Sequence, residues 1–67
     1  MLKMKFRRLM LGKSQYVLAN ETGIFQSRLT LLERGFVKPR PHERKKLARA
    51  LNLSEAEIDE IISEENR

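Results

Sequence analysis

The chain has no cysteine and a single histidine, His42. Without thiolates there is neither a disulfide framework nor a thiolate metal site to staple it. One imidazole binds a metal only with several carboxylates around it, so no metal and no cofactor are expected. Long hydrophobic runs are missing too. The N-terminal stretch MLKMKFRRLMLGK is basic and apolar, but its longest apolar run is Leu9-Met10-Leu11, far short of a targeting core. Nothing approaches the roughly 20 apolar residues of a membrane span, which predicts a soluble, cytoplasmic protein with no membrane contact. There is no Ser/His/Asp set, no carboxylate pair in a pocket-forming context and no phosphate-cradling glycine loop, so an enzyme is not expected.

Acidic residues are scarce where most of the chain lies. Residues 1–49 hold thirteen Lys/Arg and three Asp/Glu, whereas residues 50–67 hold one basic and six acidic residues, for a net charge of +5. A basic body with a pI near 10.1 points to a polyanionic partner, nucleic acid before membrane. The plainer alternative is that these cations simply solvate helix faces.

Sixty-seven residues make one domain, 1–67. A chain of this size buries only about 60% of its unfolded surface, so it depends on compact helical packing, with oligomerisation as a further aid. The pattern predicts an all-α architecture of five short helices and no strand. The first covers about residues 2–11 and stops at Gly12. Ser14 then offers an N-cap oxygen to the second, residues 15–22. Gly23 breaks the pattern, which resumes from Gln26 to Arg34 and ends at Gly35. Pro39 and Pro41 keep Lys38 and Arg40 extended, and Pro41 suits the first position of a fourth helix reaching Leu51. Ser54-Glu55-Ala56-Glu57 reads as a capping box opening a fifth, acidic helix over about 55–63, with a stripe of Ile58, Ile61 and Ile62. Ile58 and Ile61 are expected inward and Ile62 nearer the surface.

The break at Gly23 places two helices in a tight, steep crossing. A glycine there can take a positive φ that a β-carbon would penalise, and an ordinary helix stop would equally leave two closely joined helices. Ala19 leaves room for the crossing, and Leu18, Ile24, Leu29 and Leu32 form the small core that fixes its angle.

The spacing Ser14-Gln15, Leu18-Ala19, Gly23, Leu29, Leu32-Glu33-Arg34-Gly35 and Pro39 closely resembles the Cro/repressor-type helix-turn-helix proteins, also called xenobiotic-response-element-like. LARALNLSEAEI, residues 47–58, resembles that family's fourth and fifth helices. The resemblance implies a compact five-helix repressor-like fold with a helix-turn-helix over about 15–34. It further implies a sequence-specific, double-stranded-DNA-binding transcriptional regulator, a repressor of bacterial or phage type acting at the nucleoid. A homodimer on a palindromic operator is the expected assembly, with the fifth helix as its interface. The family also pairs an arginine of the first helix with the glutamate ending the recognition helix. Here these are Arg8 and Glu33, and Arg8 turned inward would bring Met4 and Leu11 into the core.

In such a unit the second helix enters the major groove. Leu29 and Leu32 facing inward leave Phe25, Gln26, Ser27, Thr30 and Leu31 as base-reading candidates. Gln26 can pair bidentately with adenine. Ser27 can donate or accept, Thr30 offers a hydroxyl or a methyl, and Leu31 offers apolar contact to a thymine methyl. Lys13, Gln15, Arg28, Lys38 and Arg40 are the candidate phosphate contacts, with Arg34 and Arg44 weaker, while Lys45, Lys46 and Arg49 read as a solvated face. The resemblance gives Gln15 a second task, bracing Gln26. Three residues depart from the family pattern. Phe25 stands where a capping Ser or Thr is usual, and can pack on sugar or a thymine methyl or fold back onto the turn. Lys13 and Thr22 occupy positions more often apolar and should loosen the core around the second helix. The rival reading is a protein-binding adaptor or antitoxin-like module that docks a partner through the acidic fifth helix and a Leu2/Phe6/Leu9 stripe.

Overall fold

Four α-helices carry the structure, a computed structural model that describes residues 1–62: α1 (Lys3–Met10), α2 (Gln15–Thr22), α3 (Gln26–Arg34) and α4 (Pro41–Leu51). Each boundary has a local cause. The Ser14 hydroxyl accepts the Val17 N–H at 3.1 Å to open α2, satisfying one of the donors a helix start leaves bare. Gly23, at φ 74°, closes it in the left-handed region, where a side chain would be strained. Its N–H still reaches the Ala19 carbonyl at 2.8 Å. Pro41 begins α4, where its missing N–H costs nothing.

The core is made by Met4, Leu18, Ile24, Leu29, Leu32, Leu47, Ala48, Leu51 and Ile58. Burying each large aliphatic side chain contributes about 1.5–3 kcal/mol, so the turn between α2 and α3 is clamped from both sides by residues the two helices themselves supply. Thr22, expected to loosen this region, does not. Buried, it donates its hydroxyl to the Leu18 carbonyl at 2.8 Å and accepts the Ile24 N–H at 3.3 Å, so no polar atom is stranded. Lys13 likewise stays out of the core and uses its amine as a tie, to the Ala50 carbonyl at 2.9 Å and to Glu21 at 2.8 Å.

Two expectations about packing fail. Leu11 is exposed, not buried, because α1 ends at Met10 and Leu11 caps it while the chain turns through Gly12. Leu2 packs against the core while Phe6 and Leu9 lie exposed, so the three do not form one docking stripe.

The fifth helix is also absent. The Ser54 capping box forms, with Ser54 N–H donating to Glu57 at 2.8 Å and Glu57 N–H to Ser54 at 3.3 Å, yet only a 3-10 turn, Glu55–Glu57, follows. Tertiary contacts take the next residues. Arg44 grips both carboxylate oxygens of Asp59 at 3.1 Å, and Lys3 takes Glu57 at 2.7 Å. Lys3 N–H donates to the Glu60 carbonyl and Ile62 N–H to the Met1 carbonyl, making an isolated antiparallel bridge between Leu2 and Ile61. An extended backbone there cannot continue a helix. Ile58 is fully buried, as expected, but Ile61 is 78% exposed. With no acidic helix, the interface assigned to it and the adaptor reading both lose their main element. The part of that expected helix at residue 63 lies outside the described residues.

Candidate nucleic-acid interface

A buried ion pair sits where the last turn of α3 meets the first turn of α2. Arg8 on α1 donates from Nε to Glu33 Oε2 at 2.7 Å and from Nη2 to Oε1 at 3.1 Å, and its Nη1 donates to the Lys13 carbonyl at 2.9 Å. Both side chains are buried. Two parallel donors from a planar fork fix direction as well as distance, so α1 is locked to the last turn of α3. The same carboxylate accepts Gln15 Nε2 at 2.9 Å, and Gln15 Oε1 accepts the Thr30 hydroxyl at 3.1 Å. Gln15 therefore braces Thr30 and Glu33. Among the described residues its hydrogen-bonded link to Gln26 runs through Thr30, whose hydroxyl also lies 3.1 Å from the Gln26 carbonyl.

The opposite face of α3 points away from the core. Gln26, Ser27 and Leu31 are exposed, Thr30 is half-buried, and Phe25 is 83% exposed. Phe25 gives α3 no side-chain cap, a loss of about 1 kcal/mol relative to Ser or Thr. It does not fold back onto the turn. It stands instead beside a shallow hollow of about 330 Å³ whose walls include Tyr16, Asn20, Ile24 and Gln26. Tyr16 is exposed on the first turn of α2 and joins this surface without being one of the residues the sequence pattern points to. Its signal was an aromatic directly after Gln15 that belongs to no core stripe.

The basic candidates separate into two groups. Lys38 is 87% exposed, 3.8 Å from Asp59, and Arg40 is exposed at the N-cap of α4. Both sit in the extended segment that follows α3. Lys13 is engaged with Glu21 and Ala50. Arg28, expected on phosphate, is held instead by Glu43 of α4, Nε to Oε2 at 2.6 Å and Nη2 to Oε1 at 2.9 Å. Glu43 also accepts the Arg40 N–H at 2.8 Å, so one buried carboxylate ties α3, the loop and α4 together. Its sequence signal was its place as third residue of a helix begun by Pro41, where a glutamate can reach back to the cap.

Arg28, and then the Arg40 N–H, hold the Glu43 carboxyl down at about 2, below the ordinary 4.5. A carboxylate depressed in the folded state binds its proton more readily in the unfolded chain, so its stabilisation is complete above pH 4.5 and disappears as the pH falls towards 2. Glu43→Gln should accordingly unfold at lower urea than the parent protein at pH 7. The gap between the two midpoints should close on acidification to pH 2, as followed by circular dichroism. A gap that is constant with pH would show that Glu43 acts by shape alone.

Among the described residues no group of His, Cys, Asp and Glu is arranged to hold a metal, and no helix is long and apolar enough to cross a membrane. The family model for the helix-turn-helix matches residues 4–58. Neither a curated protein nor a solved structure gives a match to the chain. The matched span runs from the first turn of α1 to the buried Ile58 and takes in the α2–α3 unit, the Arg8–Glu33 pair and the whole aliphatic core. With a DNA-binding unit of this kind at its centre, the chain belongs to the Cro/C1-type helix-turn-helix family.

Proposed function

We propose that residues 1–67 form a single sequence-specific, double-stranded-DNA-binding domain that represses transcription by occupying an operator, with α3 in the major groove. The observation that carries this reading is the two-sidedness of α3. Leu29, Leu32 and Glu33 are buried on one side, while Phe25, Gln26, Ser27 and Leu31 stand in solvent on the other. A helix anchored so firmly along one face can present the other as a rigid reading edge. Gln26, at the first position of α3, has the carboxamide that matches adenine N6 and N7. Phe25 and Leu31 supply apolar contact for thymine methyls.

Phosphate contacts set position and carry most of the affinity, through counterion release. Lys38 and Arg40 are the principal anchors, since Pro39 and Pro41 stiffen the segment that holds them. Gln15 acts mainly as a brace. Two copies on a palindromic operator would place their α3 helices about 34 Å apart, one helical turn of DNA. In place of an acidic helix, Phe36 and Ile61 are among the exposed apolar residues available for that contact.

The test is binding of the purified protein to labelled duplexes across a salt series. Random duplexes should bind at low salt and release steeply as salt rises, whereas a site selected from random DNA should persist. Absence of binding, or binding indifferent to salt, would rule the reading out. Lys38→Ala should weaken binding to all duplexes alike and reduce the salt slope by about 1. A loss confined to the selected site would instead make Lys38 a base contact.

A further inference from the structure

The hydrogen-bond chain behind α3 has a direction, and the direction ends at the groove-facing surface. It starts at the Glu33 carboxylate, which can only accept. Oε1 of Glu33 accepts Arg8 Nη2 and, at 2.9 Å, Gln15 Nε2. The Gln15 carboxamide is therefore fixed with its nitrogen inward, because the reverse orientation would set its oxygen against the carboxylate. Its oxygen must then face Thr30, 3.1 Å away, as an acceptor. Thr30 has one hydroxyl hydrogen. The other group in reach is the Gln26 carbonyl, also at 3.1 Å and also only an acceptor. A hydrogen turned away from Gln15 would leave two oxygens facing each other lone pair to lone pair, so it lies towards Gln15 Oε1, inside the protein, and only lone pairs remain on the outward side of the hydroxyl.

We propose that Thr30 reads DNA as an obligate hydrogen-bond acceptor, selecting the amino group of adenine (N6) or cytosine (N4) in the major groove. This rests on the placement of α3 in that groove. Thr30 lies one helical turn beyond Gln26 and next to Leu31, so it shares the exposed face. In the major groove the donors are the amino groups of adenine and cytosine, whereas guanine O6 and N7 and thymine O4 are acceptors. An acceptor meeting an acceptor leaves both without a partner, so guanine and thymine are refused at that position. Ser27 differs. Among the described residues no hydrogen bond engages its hydroxyl, which can turn to donate or to accept. Two hydroxyls on one helix face thus carry different information, and Gln15 is the positioning residue that makes them different.

The experiment is site selection from random DNA with the wild-type protein, Thr30→Val and Gln15→Leu, followed by removal of single functional groups from the selected duplex. Thr30→Val, close in shape but without lone pairs, should lose its preference at one base pair per half-site. At that pair the wild-type protein should have chosen adenine or cytosine on the strand facing Thr30. Replacing that adenine by purine, or the cytosine by 2-pyrimidinone, removes the amino group. It should cost the wild-type protein about tenfold in affinity and Thr30→Val nothing. The wild-type measurement needs no variant to fold. Gln15→Leu should weaken the preference at that pair alone, and an even loss at every position would reduce Gln15 to a support of the fold. The acceptor role is overturned if the chosen base is thymine or guanine, which would indicate a methyl contact or a donated bond. It is also overturned if removing the amino group costs nothing. A selected site that Thr30→Val leaves unchanged would refute the acceptor role while the major-groove reading stands. If no site is selected at all, both fall.

Discussion

Glu33→Ala is expected to leave the protein largely unfolded at 37 °C. Removing the carboxylate strands the Arg8 guanidinium, which is buried and has two of its three hydrogen bonds to Glu33. Breaking a buried pair from one side costs about 3–5 kcal/mol, because the surviving charge keeps its desolvation penalty and loses its partner. A chain of 67 residues has a total stability of roughly 3–10 kcal/mol, so one substitution consumes much of it. The melting temperature should fall by at least about 12 °C. The pair's own contribution is a separate matter. Arg8→Met combined with Glu33→Leu strands no charge and should recover part of the loss, although Gln15 Nε2 and the Lys13 carbonyl lose their partners. Urea unfolding of the two variants beside the parent decides the matter. A loss under about 1 kcal/mol in Glu33→Ala would mean that water reaches the pair and that it behaves as a surface one.

Gln26→Ala should reduce affinity for the selected site by about tenfold to a hundredfold and leave binding to random duplexes nearly unchanged. A bidentate carboxamide–adenine contact carries about 1–3 kcal/mol of discrimination, and alanine in its place offers no hydrogen bond at all. The fold should tolerate the change. Gln26 is exposed at the first position of α3, its side chain makes no hydrogen bond among the described residues, and alanine is the better helix former. Only its carbonyl is used, by Thr30, and alanine keeps it. Competition binding with selected and random duplexes gives both numbers. Equal losses on the two would show that Gln26 touches backbone rather than a base edge. The contrast with Lys38→Ala matters here, since one substitution should change preference and the other only strength.

What the sequence made legible was the part decided over a few residues. Ser14, Gly23, Gly35 and Pro41 each act on their own turn of backbone, and both ends of α2, the end of α3 and the start of α4 follow from them. The α3 face could be read from Leu29 and Leu32 alone, and Arg8 and Glu33 could be matched only through the family resemblance. What was not legible depends on partners far along the chain. The capping box at Ser54 is a sound local signal, and it forms, but the backbone beyond Ile58 is taken up by Met1 and Lys3 nearly sixty positions away. Arg28 looks like a free cation until α4 brings Glu43 against it. Thr22 looks misplaced in an apolar slot until its hydroxyl finds the carbonyl four residues back. Leu11 follows the α1 periodicity but falls one residue past the point where the helix stops. Local chemistry set the elements, and long-range pairing decided which charges stayed available to a partner.

In the proposed complex α3 and its N-cap present Phe25, Gln26, Ser27, Thr30 and Leu31 to the bases while Lys38 and Arg40 hold the backbone. At 67 residues the protein is small enough for every amide to be followed by nuclear magnetic resonance during titration with its selected duplex. The largest shifts should fall on residues 25–31, with a second group at Lys38 and Arg40 that also appears with random DNA. Shifts centred instead on Met1, Phe36 and Ile61, with α3 unmoved, would contradict this arrangement.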